Sequence, residues 1–142
     1  MSTTKYATQI PGEFEIAGRS YIVSGAGRGI GKGITRVLAE SGAKVLATSL
    51  TDKYMPEVAG DLERSGHPIK TMVADATSGN DMARVVASAL NHFGQLDGLV
   101  NCVGDAISKP VVPMPDGGGS ESPLSDEEWR FVIDVNLTEA FV

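Results

Sequence analysis

Short apolar runs alternate with amphipathic segments along most of the chain. Four of the runs have the length and composition of β-strands, at residues 21–24, 43–48, 69–74 and 96–102. The segments between them carry apolar residues at helical spacing, most clearly from Met82 to Phe93. This alternation predicts an α/β fold, a Rossmann-like doubly wound parallel sheet with helices on both faces that is incomplete at its C-terminal side.

The ends of the helices follow from the residues that flank them. The first helix is predicted to stop before Gly42 and the third before Gly94. Ser125 opens the last helix as part of a capping box. Residues 105–124, which directly precede this last helix, are predicted to form a long loop rich in proline, glycine and serine.

Two helices have an apolar stripe that is predicted to pack against a neighbouring element. The stripe of the first helix consists of Ile30, Ile34, Val37 and Leu38. The stripe of the last helix consists of Trp129, Val132, Ile133 and Ala140, and Asn136 lies on the same side. A polar residue in such a stripe is either a hydrogen-bonded structural residue or one that holds a water or a catalytic group.

The stretch from Ser24 to Gly31 connects the first strand to the first helix and contains four glycines. Glycines let the backbone approach a pyrophosphate, and the first helical turn directs unpaired N–H groups at its charge. The spacing Gly-x-x-x-Gly-x-Gly departs from the general dinucleotide fingerprint at Ile30, and Gly33 excludes a P-loop. The alternative is a glycine-rich turn without a ligand.

Composition excludes several classes of protein. The 142 residues carry a formal net charge of −6, which argues against a nucleic-acid partner or an anionic membrane. The single cysteine, Cys102, excludes an internal disulfide, and no residues have the spacing of a metal site. No apolar run approaches the ~20 residues of a membrane span, and the N-terminus lacks a signal-peptide core. The expected location is the cytoplasm.

Four motifs together resemble those of the short-chain dehydrogenases/reductases, in the same order and at similar intervals. Residues 24–31 resemble the family's cofactor turn, and Asp75 resembles its adenine-contacting aspartate. Residues 101–104 resemble the Asn-Asn-Ala-Gly motif, although Cys102 and Val103 replace its second Asn and its Ala. Asn136 resembles the helix asparagine that holds a water in a proton relay.

The resemblance implies an NAD(P)-dependent oxidoreductase that moves a hydride to a small carbonyl compound or from a small alcohol. It assigns residues 1–13 to an N-terminal arm and residues 14–142 to a partial NAD(P)-binding domain. Asn136 is the implied catalytic residue. The implied cofactor-binding residues are Ser24, Gly25, Gly27, Arg28, Gly29, Ile30, Gly31, Ser49, Leu50, Asp75, Ala76, Asn101, Cys102, Val103 and Gly104.

The choice between NAD and NADP depends on the end of the second strand. An acid there would bind the ribose 2′-hydroxyl of NAD, but residues 48–50 contain none. Arg28 and Ser49 offer a cation and a hydroxyl to a 2′-phosphate, so NADP is favoured over NAD. Asp52 would restore a preference for NAD if it folded back toward the ribose.

The family's Tyr-x-x-x-Lys pair is missing from this sequence. Tyrosines occur at positions 6, 21 and 54, and none is followed by lysine four residues later. We therefore expect a fragment without turnover, and a non-catalytic dinucleotide-binding or partner-binding module is the alternative. A complete protein is expected to form a homo-oligomer, whereas the truncated chain is expected to self-associate or aggregate through its uncovered fourth strand and last helix.

Overall fold

The computed structural model of the protein describes residues 15–112 and 122–142. The predicted N-terminal arm, residues 1–13, and the centre of the long loop, residues 113–121, lie outside the described residues. The strands are β1 Ser20–Ser24, β2 Lys44–Ser49, β3 Lys70–Val73 and β4 Gly98–Asn101. The main helices are α1 Gly29–Glu40, α2 Met55–Arg64, α3 Gly79–Phe93 and α4 Asp126–Ile133.

The described strands form one parallel sheet in the order β3-β2-β1-β4. The order reverses between β1 and β4, because β2 and β3 continue on one side of β1 and β4 lies on the other. Such a reversal opens a crevice at the carboxyl ends of the strands. The predicted doubly wound parallel sheet is therefore confirmed, and it places the glycine turn after β1 at this crevice.

Helices cover both faces of the sheet and create two cores. Val23 and Val45 pack with α1 and α2 on one face, whereas Ile22 and Leu46 pack with α3 on the other. All four of these side chains are at most 1% exposed. Burial on both faces explains why the central strands are continuous apolar runs rather than alternating ones.

The ends of α3 follow the sequence closely. Ser78 caps its first turn by accepting a hydrogen bond from the Asp81 N–H. Gly94 ends it in the left-handed conformation at φ 78°, as predicted. None of the helices in the described part of the chain has both the length and the apolar character needed to cross a membrane.

The predicted apolar stripe of α1 packs only in part, because Leu38 lies against the core while other members of the stripe face outward. Ile30 is 79% exposed and Val37 is 60% exposed, whereas the buried residues are Gly31, Thr35 and Ala39. The reason is the close approach of α1 to the glycine turn. A Cβ on Gly31 would lie 2.2 Å from the carbonyl oxygen of Gly25, so only small side chains fit on that side.

The last helix also differs from its prediction. It begins with the predicted capping box at Ser125, but it continues from α4 into a π-helical turn, Asp134–Thr138, and a final turn, α5 Glu139–Phe141. Trp129, which was predicted to lie on a packed stripe, is 54% exposed. The buried residue of this segment is Glu139, and the π-helical turn before it shifts the helical periodicity on which the predicted stripe was based.

Candidate functional site

Two adjoining cavities lie at the carboxyl ends of the strands. Their volumes are about 530 Å³ and about 310 Å³, and Gly25, Ser49, Leu50 and Val103 line both of them. The larger cavity lies over the start of α1, and the smaller one lies between the end of β3 and the last helix. Because they share these lining residues, the two cavities are parts of one cleft.

Five of the residues that line the larger cavity are glycines. Gly25 adopts φ 69°, and a Cβ at this position would lie 2.6 Å from the carbonyl oxygen of Cys102. Gly27, Arg28, Gly29, Ile30 and Gly31 continue the wall, and Cys102, Val103 and Gly104 lie opposite. The structure therefore brings the predicted glycine turn and the predicted segment after β4 together at one cavity.

The start of α1 has no side-chain cap. Its N-cap residue, Arg28, is extended at φ −152° and its side chain caps nothing. No acidic residue lies in the first turn. The first N–H groups of a helix have no acceptor within the helix, and they favour negative charge. This helix start therefore presents free donors and a positive potential to the larger cavity.

Two cations border the same cavity without a described carboxylate partner. Arg28 and Lys53 line it together with Ser49 and Thr51, and both cations are exposed. The Lys53 Nζ lies 5.0 Å from the centre of the Tyr54 ring. Lys32, by contrast, pairs with Glu57 at 2.9 Å on the neighbouring helix.

Sequence reasoning found Arg28 and Ser49 but missed Thr51, Lys53 and Tyr54. The available signal for Lys53 is its position shortly after the second strand. Asp52, the alternative NAD-selecting residue, is exposed and lines neither cavity.

The smaller cavity is framed by a fixed turn after β3. The Asp75 Oδ1 accepts hydrogen bonds from the Thr77 N–H at 2.9 Å and from the Thr77 hydroxyl at 2.7 Å. The Asp75 N–H donates in turn to Asp81 at 3.0 Å. The Arg84 guanidinium and this N–H lower the pKa of Asp81, which keeps it anionic and holds the turn.

The predicted residues Asp75 and Ala76 line this smaller cavity. The opposite side consists of Phe131, Asp134 and Val135 from the last helix. Sequence reasoning missed these three, since the orientation of that helix depends on the π-helical turn.

Three predicted site residues do not line the cleft. Ser24 is buried, and its hydroxyl donates to the Val100 carbonyl at 3.4 Å. Asn101 lies beside it at the end of β4, with its Oδ1 3.5 Å from that hydroxyl. The Ser24 hydroxyl thus connects the ends of β1 and β4. The third residue, Asn136, lies on the last helix.

Asn136 ties the π-helical turn to the segment after β4. Its Nδ2 donates to the Asp105 carbonyl at 2.7 Å and to the Val132 carbonyl at 2.8 Å. Its Oδ1 would lie 2.9 Å from a Cβ on Gly104, so a larger residue there would have to displace the Asn136 side chain. The Glu139 N–H bonds the Asp134 carbonyl, five residues back, as π geometry requires.

Comparisons with known proteins agree with this architecture. A sequence model of the family described as short chain dehydrogenase matches residues 19–142. A hydroxynaphthalene reductase-like protein of Metarhizium acridum is 33% identical over 127 residues, which cover 89% of this chain and 44% of that protein. The chain thus spans about half the length of the curated relatives that it matches.

Solved structures give the same picture. A short-chain dehydrogenase/reductase, glucose/ribitol dehydrogenase, from Brucella melitensis matches with a TM-score of 0.76 and 32% identity, covering 90% of this chain and 50% of that one. A short chain dehydrogenase from Mycobacterium smegmatis matches with a TM-score of 0.77 and 29% identity, covering 89% and 49%.

Proposed function

We propose, since this chain belongs to the short-chain dehydrogenase family, that residues 14–142 are the cofactor-binding part of an oxidoreductase that prefers NADP to NAD. The bound cofactor would supply or accept a hydride, and the substrate would be a small carbonyl compound or alcohol. The residues of the cleft would bind and orient the dinucleotide. These residues would bind the cofactor, and the reaction itself would be carried out by a longer protein.

The observation that carries the preference for NADP is a pair of cations, Arg28 and Lys53, that have no carboxylate partner among the described residues and lie beside the uncapped start of α1. They share the cavity with the hydroxyl of Ser49 in a chain whose net charge is −6. A ribose 2′-phosphate would pair with such cations and accept hydrogen bonds from the hydroxyl. Within the part of the chain that the structure describes, no carboxylate lines this cavity to hold the 2′-hydroxyl of NAD.

The remaining contacts follow the shape of the cleft. The first amides of α1 would bind the pyrophosphate, and the glycines at positions 25 and 31 would allow its close approach. Asp75 and Ala76 would bind the adenine in the smaller cavity. The segment 101–104 would border the nicotinamide, and Asn136 would hold the water of a proton relay.

Isothermal titration calorimetry of NADP and NAD with the 142-residue chain tests this proposal. Wild type should bind NADP more tightly than NAD. Arg28→Ala should weaken NADP by roughly 10- to 100-fold, because a charge-assisted hydrogen bond contributes ~1.5–3 kcal/mol. Lys53→Ala should weaken it less, because a flexible ammonium acts as a point charge. Binding of NAD should change little in either variant.

Lys70→Ala is the matched control, since Lys70 is an exposed lysine that opens β3 at the opposite end of the sheet. Its affinities should equal those of wild type. Equal losses of NADP and NAD in Arg28→Ala would contradict the 2′-phosphate assignment, and tighter binding of NAD by wild type would reverse the preference. We also propose that the chain alone does not oxidise NADPH with carbonyl substrates, since no Tyr-x-x-x-Lys is present in it.

We further propose that the chain self-associates through its last helix, and that a longer protein forms a homo-oligomer. Trp129 is 54% exposed, Leu137 is 64% exposed and Phe141 is 91% exposed. Phe141→Ser should lower the mass measured by light scattering at high concentration. Val37→Ser, which changes an exposed apolar residue of α1, should not. A monomeric wild type would refute this proposal.

A further inference from the structure

Tyr54 is an aromatic residue of the larger cavity to which the proposed cofactor contacts give no role. It directly precedes α2, and its carbonyl accepts the Val58 N–H at 3.2 Å in the first turn of that helix. The residue is 39% exposed. A partly covered ring at the edge of a cavity can contact its neighbours and still face a ligand.

The main chain on either side of Tyr54 is held by the rest of the fold. Met55, the next residue, is 3% exposed and belongs to the core beneath α1 and α2. Its N–H donates to the Asp52 carbonyl at 3.0 Å. The Lys32 ammonium of α1 pairs with the Glu57 carboxylate of α2 at 2.9 Å. The start of α2 is therefore fixed beside the start of α1.

The side chain of Tyr54 begins next to the glycine turn. A Cβ placed on Gly27 would lie 3.6 Å from the Tyr54 Cβ and 3.1 Å from the Ser49 Oγ. Ser49 and Tyr54 therefore flank Gly27, on the side where a larger residue would carry its side chain. This arrangement places the base of the tyrosine ring close to the turn that precedes α1.

The ring of Tyr54 in turn contacts Lys53. The Lys53 Nζ lies over the ring, 5.0 Å from its centre, which is inside the ~6 Å range of a cation–π interaction. An exposed lysine has several rotatable bonds, and it otherwise samples many conformations. The ring therefore favours those conformations in which the ammonium stays at the larger cavity.

We propose that Tyr54 is a positioning residue whose ring holds the Lys53 ammonium where a ribose 2′-phosphate would meet it. The effect on the cofactor rests on the proposed function, because the phosphate belongs to the proposed cofactor. The effect of the ring on Lys53 does not depend on any ligand. The two effects are therefore measured separately.

Proton NMR of the apo chain measures the effect on Lys53. Protons above an aromatic ring are shielded, so the methylene protons beside the Lys53 ammonium should resonate upfield of those of Lys70, an exposed lysine of β3. Tyr54→Leu should remove this shift and Tyr54→Phe should keep it. Lys53 signals that coincide with those of Lys70 in wild type would overturn the proposal.

Calorimetric titration of NADP and NAD measures the effect on the cofactor. In Tyr54→Leu, the ratio of NADP affinity to NAD affinity should fall about threefold, which is the size of a cation–π interaction at an exposed site. The ratio cancels any loss that both dinucleotides share. Tyr54→Phe keeps the ring face and should keep the wild-type ratio. An equal fall in Tyr54→Phe would assign the effect to the hydroxyl and contradict the proposal.

A double variant distinguishes positioning from a general effect on the fold. In Lys53→Ala there is no ammonium to hold, so the addition of Tyr54→Leu should leave the ratio of affinities unchanged. In Lys70→Ala, the matched control, Tyr54→Leu should still lower the ratio about threefold. A further fall on top of Lys53→Ala would show that the ring acts without Lys53, and it would refute the proposed role.

The outcomes separate this inference from the proposed function. If wild type binds neither dinucleotide while the Lys53 protons are shielded, the proposed function fails and the contact between the ring and Lys53 stands. If wild type prefers NADP and Tyr54→Leu keeps the same ratio of affinities, the role of Tyr54 is refuted and the proposed function stands.

Discussion

The first turns of α1 and α4 both contain backbone amides without an acceptor inside the helix, but only α4 caps them with side chains. At α4, the Ser125 hydroxyl accepts the Glu128 N–H at 3.2 Å, and the Glu128 carboxylate accepts the Ser125 N–H at 2.9 Å. The first turn of α4 also contains three acidic residues. At α1, the Arg28 side chain caps nothing and the first turn contains no acid.

The capped start of α4 therefore stabilises the fold, whereas the uncapped start of α1 leaves its amides free for a ligand. A capped start neutralises its own dipole, so it has little to offer an anion. An uncapped start gives up that stabilisation, but its amides remain available. The glycines let α1 approach the turn closely. This arrangement suits phosphate binding, because a phosphate needs the backbone amides within hydrogen-bonding distance.

Among these variants, Gly31→Ala should have the largest effect on the start of α1 and on cofactor binding. The new Cβ would lie 2.2 Å from the Gly25 carbonyl oxygen, so α1 and the turn must separate. We expect at least a ~100-fold loss of NADP affinity, because a shift of ~1 Å in such a site has an effect of that size. Overpacking should also lower the unfolding free energy by ~1–3 kcal/mol. Calorimetry and urea unfolding measure the two effects.

Gly33→Ala is the matched control on the same helix. No atom lies within 4 Å of a Cβ at this position, so alanine fits. It should bind NADP as wild type does and raise the unfolding free energy by up to ~1 kcal/mol through its helix propensity. Loss of binding in this variant would mean that any change in α1, and not the contact with Gly25, controls the site.

Arg28→Ser should make α1 more like α4. Arg28 already has the extended backbone of an N-cap residue, so serine can accept an amide of the first turn. We expect the unfolding free energy to rise by ~0.5–1 kcal/mol while NADP affinity falls by roughly 10-fold or more. Unchanged affinity together with raised stability would show that the free amides do not serve the cofactor.

Ser125→Ala should have the smallest effect and change α4 alone. Loss of the capping hydrogen bond should lower the unfolding free energy by about 1 kcal/mol. NADP affinity should stay within about twofold of wild type, because the capped start lies outside both cavities. Urea unfolding and calorimetry on the same samples give both values, and a large loss of affinity would refute the division of roles.

Much of the fold could be predicted because its signals are local. The strands are apolar runs buried on both faces, and the ends of α3 are set by Ser78 and Gly94. The stripe of α1 misled the prediction, since periodicity does not reveal that Gly31 must contact Gly25. The π-helical turn and the burial of Glu139 could not be predicted from the sequence either, because both arise from contacts between distant segments.

The site was partly predictable for the same reason. The glycine turn is a contiguous motif, and the segment after β4 reaches it by simple topology. Lys53 and Phe131 join the cleft only through the paths of a loop and a helix. Ser24 and Asn101 lie beside each other at the ends of β1 and β4, but neither lines a cavity, and the Ser24 hydroxyl donates to the Val100 carbonyl.

The contact between Gly25 and Cys102 makes tolerance to mutation unequal on its two sides. The atom that Cys102 contributes is a main-chain carbonyl oxygen, which every amino acid possesses. A codon change there can replace the thiol and leave the contact in place. At Gly25, even the Cβ of alanine would lie 2.6 Å from this carbonyl oxygen. Position 102 can therefore accept other residues, whereas position 25 requires glycine.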